Sequence, residues 1–181
     1  MKESNIFYSK LEKILMDIIA EEQVKLGYRK ETIRLYYPLT SLNHIFQSKD
    51  TAKEMLRRLD MFSDFTSDRF KSVDVTEKGE RFCFCLAPEA SEYVHENVEK
   101  DDFLYELIDM IREEHITLES VIQLFEKWDE NCIVEYTDHG EFDLLIRFVG
   151  RDDPYYYCFK DEGCHIIYHR FLPEDYNDLG L

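Results

Sequence analysis

The sequence predicts an α+β fold, with helices around a short antiparallel hairpin in the first half and two helices plus a four-stranded antiparallel meander in the second. Three observations carry that expectation. Apolar residues recur at helical spacing in several stretches, other runs place them at every second position between turn residues, and the charge balance changes abruptly near Lys100. With 181 residues, 44% apolar and 14% aromatic, the chain has material for a sizeable core without covalent staples.

A first helix is expected over residues 5–26, where Leu11, Ile14, Leu15 and Ile18 form a stripe and Gly27 follows the end. Residues 32–37 are β-branched and aromatic and stop at Pro38, which suits a short strand. A second helix over 40–46 turns Leu42, Ile45 and Phe46 inward. After a turn at Gln47, Ser48 and Lys49, a third helix within 50–62 carries Ala52, Met55, Leu56 and Leu59 on one face. Two helices joined so closely form a helix-turn-helix candidate. Residues 72–76 and 81–87 flank Glu77, Lys78, Gly79 and Glu80, with Phe82, Phe84 and Leu86 alternating with Cys83 and Cys85, so a β-hairpin is expected. Pro88 at a first-turn position opens a fourth helix through Val98.

The order helix, strand, helix, helix, strand, turn, strand, helix resembles the winged-helix superfamily over roughly the first hundred residues. Glu77 to Glu80 stand where the wing would be, and Leu86-Ala87-Pro88-Glu89 is similar to sequences that close the wing in many bacterial regulators. The resemblance implies a module that binds DNA or docks another protein. The whole chain also resembles an uncharacterised family of bacterial proteins of similar length, through Leu26-Gly27-Tyr28-Arg29-Lys30 and Tyr36-Tyr37-Pro38-Leu39, and that family brings no function with it.

In the second half, Leu104, Leu107, Ile108 and Ile111 stripe a helix over 103–114, and a further helix follows over 117–128, with Thr117 as N-cap and Glu119 in the first turn. Four strands are expected at 132–136, 142–149, 155–160 and 164–171. Phe142, Leu144, Ile146 and Phe148 alternate with polar residues, the pattern of a sheet with one buried face. Asp138-His139-Gly140 and Asp161-Glu162-Gly163 suit hairpin turns. The charge shift places a domain boundary near Lys100, giving units 1–100 and 101–181 that are free to pack together.

Residues 1–100 hold 16 Lys/Arg against 18 Asp/Glu, whereas residues 101–181 hold 6 against 21, so nearly all of the net charge of −17 sits in the second half. A field of that sign opposes non-specific nucleic-acid attachment there and favours solubility or a basic partner. No signal segment and no apolar stretch of spanning length stands out, so a cytoplasmic protein away from the membrane is expected. The five cysteines lack a C-x-x-C pair and sit in strand-like runs, where they read as buried reduced thiols.

The candidate contact residues are Lys49, Lys53, Arg57 and Arg58 on the third helix and its preceding turn, with Lys78 and Arg81 on the hairpin. Glu54 is placed to pair with Arg58 one helical turn on, and Glu77 and Glu80 flank the hairpin cations. From Lys25 to Arg81 there are 12 basic and 9 acidic residues, thin for phosphate binding. His165 and His169 share a strand face but stand roughly 13 Å apart at about 3.3 Å per residue, too far for one ion. Glu92 and His95 match the E-x-x-H of di-iron bundles, but no second copy exists. No nucleophile elbow, phosphate loop or dinucleotide fingerprint is present. The sequence thus leads to a non-enzymatic regulatory or interaction protein without cofactor, engaging another protein, with a DNA-binding transcriptional regulator as the second reading and an enzyme without a recognisable local motif as the third.

Overall fold

A computed structural model describes residues 2–137 and 140–178, and their contacts fall into two compact units, residues 1–100 and 101–181.

In the first unit, α1 (Lys2–Leu26) buries Tyr8, Leu11, Leu15 and Ile19, positions three or four apart that share one helix face. Gly27, at φ 79°, donates its N–H to Gln23 O and ends the helix. Strand β1 (Ile33–Pro38) leads into α2 (Leu39–Phe46), and Gln47 ends that helix in the left-handed region at φ 49°. Asn43 ties the turn together, since its side chain donates to Asp50 O and accepts from Ser48 Oγ and Asp50 N.

Helix α3 (Ala52–Phe70) is longer than the sequence predicts. Its buried positions Met55, Leu59, Phe62, Thr66 and Phe70 continue the stripe through a stretch of Ser, Thr and Asp. Within that stretch Thr66 Oγ1 donates to Phe62 O and Ser67 Oγ to Asp64 O, so both hydroxyls are satisfied inside the helix while burial of Thr66 and Phe70 continues its apolar stripe. Strands β2 (Val73–Lys78) and β3 (Arg81–Leu86) form the expected hairpin, and β3 lies between β1 and β2 in an antiparallel sheet. Phe82, Phe84 and Leu86 are fully buried on its inner face. Helix α4 (Pro88–Asn97) begins at the expected proline.

The second unit packs α5 (Asp102–Ile111) and α6 (Leu118–Trp128) with a meander of β4 (Ile133–Tyr136), β5 (Leu144–Arg147), β6 (Tyr156–Asp161) and β7 (Ile166–Phe171). Thr117 caps α6 as its sequence position predicts, accepting from Ser120 N. The core is aromatic: Phe103 meets Phe125 and Phe148 edge-on at 4.8 Å each, and Tyr157 lies 5.1 Å from Phe125. Beside it, the Arg151 guanidinium lies 4.8 Å from the Phe148 centroid, 5.0 Å from Phe103 and 5.2 Å from Trp128. Its Nη2 donates to Asp101 at 3.1 Å, while Nη1 is buried without an acceptor.

The structure corrects three expectations. The β5 ladder covers four residues, and Leu144, Leu145 and Ile146 are all buried, so both faces of the strand are covered up to the half-buried Arg147. A second small cluster explains this: Phe142, Leu145 and Cys158 pack on the reverse side with Tyr156, Phe171 and Tyr176. Tyr176 comes from α7 (Pro173–Asp178), a short helix that the sequence does not predict. The cysteines are all free but not all buried. Cys83 and Cys158 are buried, Cys85 and Cys132 half-buried, and Cys164 exposed in the β6–β7 turn, with its Sγ 3.0 Å from His165 Nδ1. Gly163 of that turn adopts φ 82°, while Asp138 and His139 of the other expected turn lie outside the described residues.

Candidate interaction surface

The face of α3 turned away from its buried stripe is set by the helix start. Thr51 and Glu54 make a reciprocal cap: the Thr51 hydroxyl accepts from Glu54 N, and the Glu54 carboxylate accepts from Thr51 N at 2.9 Å and from Thr51 Oγ1 at 2.7 Å. These bonds hold the Glu54 carboxyl below the usual carboxylate range. Glu54 is therefore committed to the cap, and the expected Glu54–Arg58 pair gives way to another. Arg58 Nε donates to Asp50 at 2.8 Å, and the guanidinium lies 5.2 Å from the Phe46 ring centroid. Tyr8 reaches the same place from α1, donating its hydroxyl to Arg58 O at 3.0 Å.

Of the sequence-predicted contact residues, Arg58 is thus folded back as a half-buried structural cation, while Lys49, Lys53 and Arg57 are exposed. Lys53, Arg57 and Met61 stand four residues apart along α3, and Met61 is 59% exposed. Tyr8, Asp50, Glu54, Arg57, Arg58 and Met61 line a shallow groove beside this row. Further along the helix the exposed residues turn acidic, with Asp60, Asp64 and Asp68. Lys78 and Arg81 are exposed and directly opposite each other at the hairpin end, joined by Gly79 at φ 67°. Leu39 N donates to Glu80 O at 2.8 Å, which fixes the start of α2 to the same hairpin.

The remaining sequence candidates fall into structural roles. Glu92 accepts from Lys30 at 2.8 Å and His95 stacks on Tyr28 at 4.1 Å, so the Gly27-Tyr28-Arg29-Lys30 segment is strapped onto α4. Ser91 Oγ donates to Arg29 O and accepts from Gln23 Nε2, completing the strap. A cleft of about 220 Å³ beside it, lined in part by Ile19, Leu26, Ile33 and Arg34, is smaller than the roughly 300 Å³ at which small-molecule pockets begin. His169 lies against Phe142 and Phe171. Among the described residues, no group of three His, Cys, Asp or Glu side chains is placed to hold a metal, and no helix is long and apolar enough to cross a membrane. Tyr155, Tyr157 and Tyr168 belong to the core.

The fold and surface define an α+β protein of two compact units with an unusually acidic second unit. Residues 8–180 match the family described as "Domain of unknown function, E. rectale Gene description (DUF3877)", and the chain belongs to that family. Neither the curated proteins nor the solved structures contain a match.

Proposed function

We propose that this protein is a non-enzymatic, regulatory interaction protein whose first unit is a winged-helix module used to dock another protein. The element order α1-β1-α2-α3-β2-β3 and the strand order β1-β3-β2 support the winged-helix reading, and the fold by itself is neutral between DNA and protein partners. The outward face of α3 carries the choice. Exposed Glu54, Asp60, Asp64 and Asp68 outnumber Lys53 and Arg57, and Arg58 is already paired with Asp50. Phosphate binding by counterion release needs several unneutralised cations on one face, and this one has too few.

The second reading, a DNA-binding regulator, draws on Lys53 and Arg57 on α3 with Lys49, Lys78 and Arg81 around them. Anisotropy titrations of full-length protein with pooled genomic DNA fragments at low ionic strength separate the two. The docking reading expects no saturable binding, and the double charge reversal Lys53→Glu/Arg57→Glu to remove a cross-linked protein partner. Saturable DNA binding that falls steeply with salt and disappears in Arg57→Glu would transfer the conclusion to the regulator.

A further inference from the structure

The face of the first unit's sheet opposite its core holds a cluster of side chains that docking does not use. Cys83 and Cys85 are two residues apart on β3, so their side chains leave the same face, with Phe82, Phe84 and Leu86 on the other. Because β3 is the central strand, each thiol has a neighbour on both sides. Arg34 and Asp74 stand directly opposite Cys85, and Tyr36 and Thr76 directly opposite Cys83. All four neighbours are exposed, so the two thiols form the floor of an open trough; Cys83 is 6% exposed and Cys85 half-buried. The Tyr36 phenol is carried on β1 directly across from Cys83.

We propose that Cys83 and Cys85 form a two-thiolate site for a soft monovalent cation of the copper(I) type. Same-face residues two apart on a strand have β-carbons about 6.6 Å apart, a spacing from which two sulfurs can lean toward one ion held between them. Thiolate sulfur selects soft ions. Zinc wants four ligands, and among the described residues no third His, Cys, Asp or Glu joins the pair. Two-coordinate binding is acceptable to copper(I), whose filled d shell imposes no higher coordination number.

Each thiol gives up its proton and each sulfur donates an electron pair, so two thiols and Cu⁺ become a bis-thiolate complex of charge −1 and two released protons, with no change of oxidation state. Arg34, directly opposite Cys85 on β1, brings positive charge to such an anionic centre, and Tyr36, directly opposite Cys83, brings a hydroxyl able to donate to a thiolate.

Anaerobic competition of the full-length protein against a chromophoric copper(I) chelator tests this. Wild type and Cys164→Ser are expected to take up one tight copper(I) per chain. Cys85→Ser, at the half-buried position where a native circular dichroism spectrum is expected, should lose more than about 100-fold in affinity, and Arg34→Ala about 10- to 100-fold. Wild-type affinity retained in a folded Cys85→Ser protein, or uptake lost in Cys164→Ser instead, would overturn the assignment.

Discussion

At Arg151 two opposing contributions meet. A guanidinium desolvated over aromatic rings gains about 2 kcal/mol, and a buried donor left without an acceptor costs about 1–3 kcal/mol, so the two nearly cancel. Its value is geometric, joining Asp101 at the start of α5 to the Phe148 end of the sheet. Asp129 does related work at the end of α6, accepting from Gly150 N at 2.7 Å, Val149 N at 2.9 Å and Asn131 N at 3.0 Å. A β-carbon at Gly150 would meet that carboxylate at 3.2 Å, so any side chain there would press the Asp129 carboxylate back by a few tenths of an ångström. The three N–H donors, Gly150 first, hold the Asp129 carboxyl below its ordinary value. A depressed carboxylate contributes stability that is present above its unfolded pKa, about 3.9, and is lost as pH falls through the lower folded one. Asp129→Asn is therefore expected to be less stable than wild type by a constant margin above about pH 5, with the margin closing below about pH 4. Urea melts across pH 3 to 7 check this, and a margin unchanged at acid pH would contradict it.

At the scale of elements, the sequence located what periodicity and caps encode and missed what tertiary contacts decide. The α1 stripe, the Thr117 cap, the Pro88 helix start and the alternation of β3 were all legible, because each is a local signal that the fold leaves intact. The length of α3 was hidden, since Ser63, Asp64, Thr66, Ser67 and Asp68 look like a terminator until Thr66 is seen to be buried with its hydroxyl on Phe62 O. α7 and the buried reverse face of β5 were hidden for another reason: Tyr176 finds Tyr156 only once the sheet exists. Within the candidate surface, residue types and positions were legible but partners were not. Glu54 at four residues from Arg58 suggested an ion pair, and the capping box outcompeted it because Glu54 also stands three residues after Thr51. The cap gives α3 its own test. Thr51→Ala is expected to cost about 1 kcal/mol in urea unfolding, and Thr51→Ser to restore most of it. An Ala variant as stable as wild type would show that packing of Met55, Leu59 and Phe62 fixes the helix start without the cap.

For the whole molecule, the uneven charge has a physical consequence that is separate from any partner. Residues 101–181 carry 21 acidic and 6 basic side chains, a net of −15, on a compact unit with its own aromatic core, whereas residues 1–100 carry 18 and 16, a net of −2. Like charges confined to a small folded unit repel one another more than they do in the expanded chain, so self-repulsion destabilises the folded state, and added salt screens it. The charges that Lys127, Lys160, Arg112 and Arg151 meet in Glu106, Asp143, Asp109 and Asp101 are too few to cancel the excess. Each unit also has a complete set of buried helices and strands of its own, so each is expected to fold when produced alone. Thermal melts of the two fragments in 20 mM and 500 mM sodium chloride then make a matched comparison. The 101–181 fragment should gain roughly 4–8 °C in Tm for each kcal/mol of repulsion removed, and the 1–100 fragment should move little. Equal salt shifts in both fragments would mean that the acidic residues are spaced widely enough for water alone to screen them. A fragment without a cooperative transition at either salt would mean that it depends on the other unit for its core.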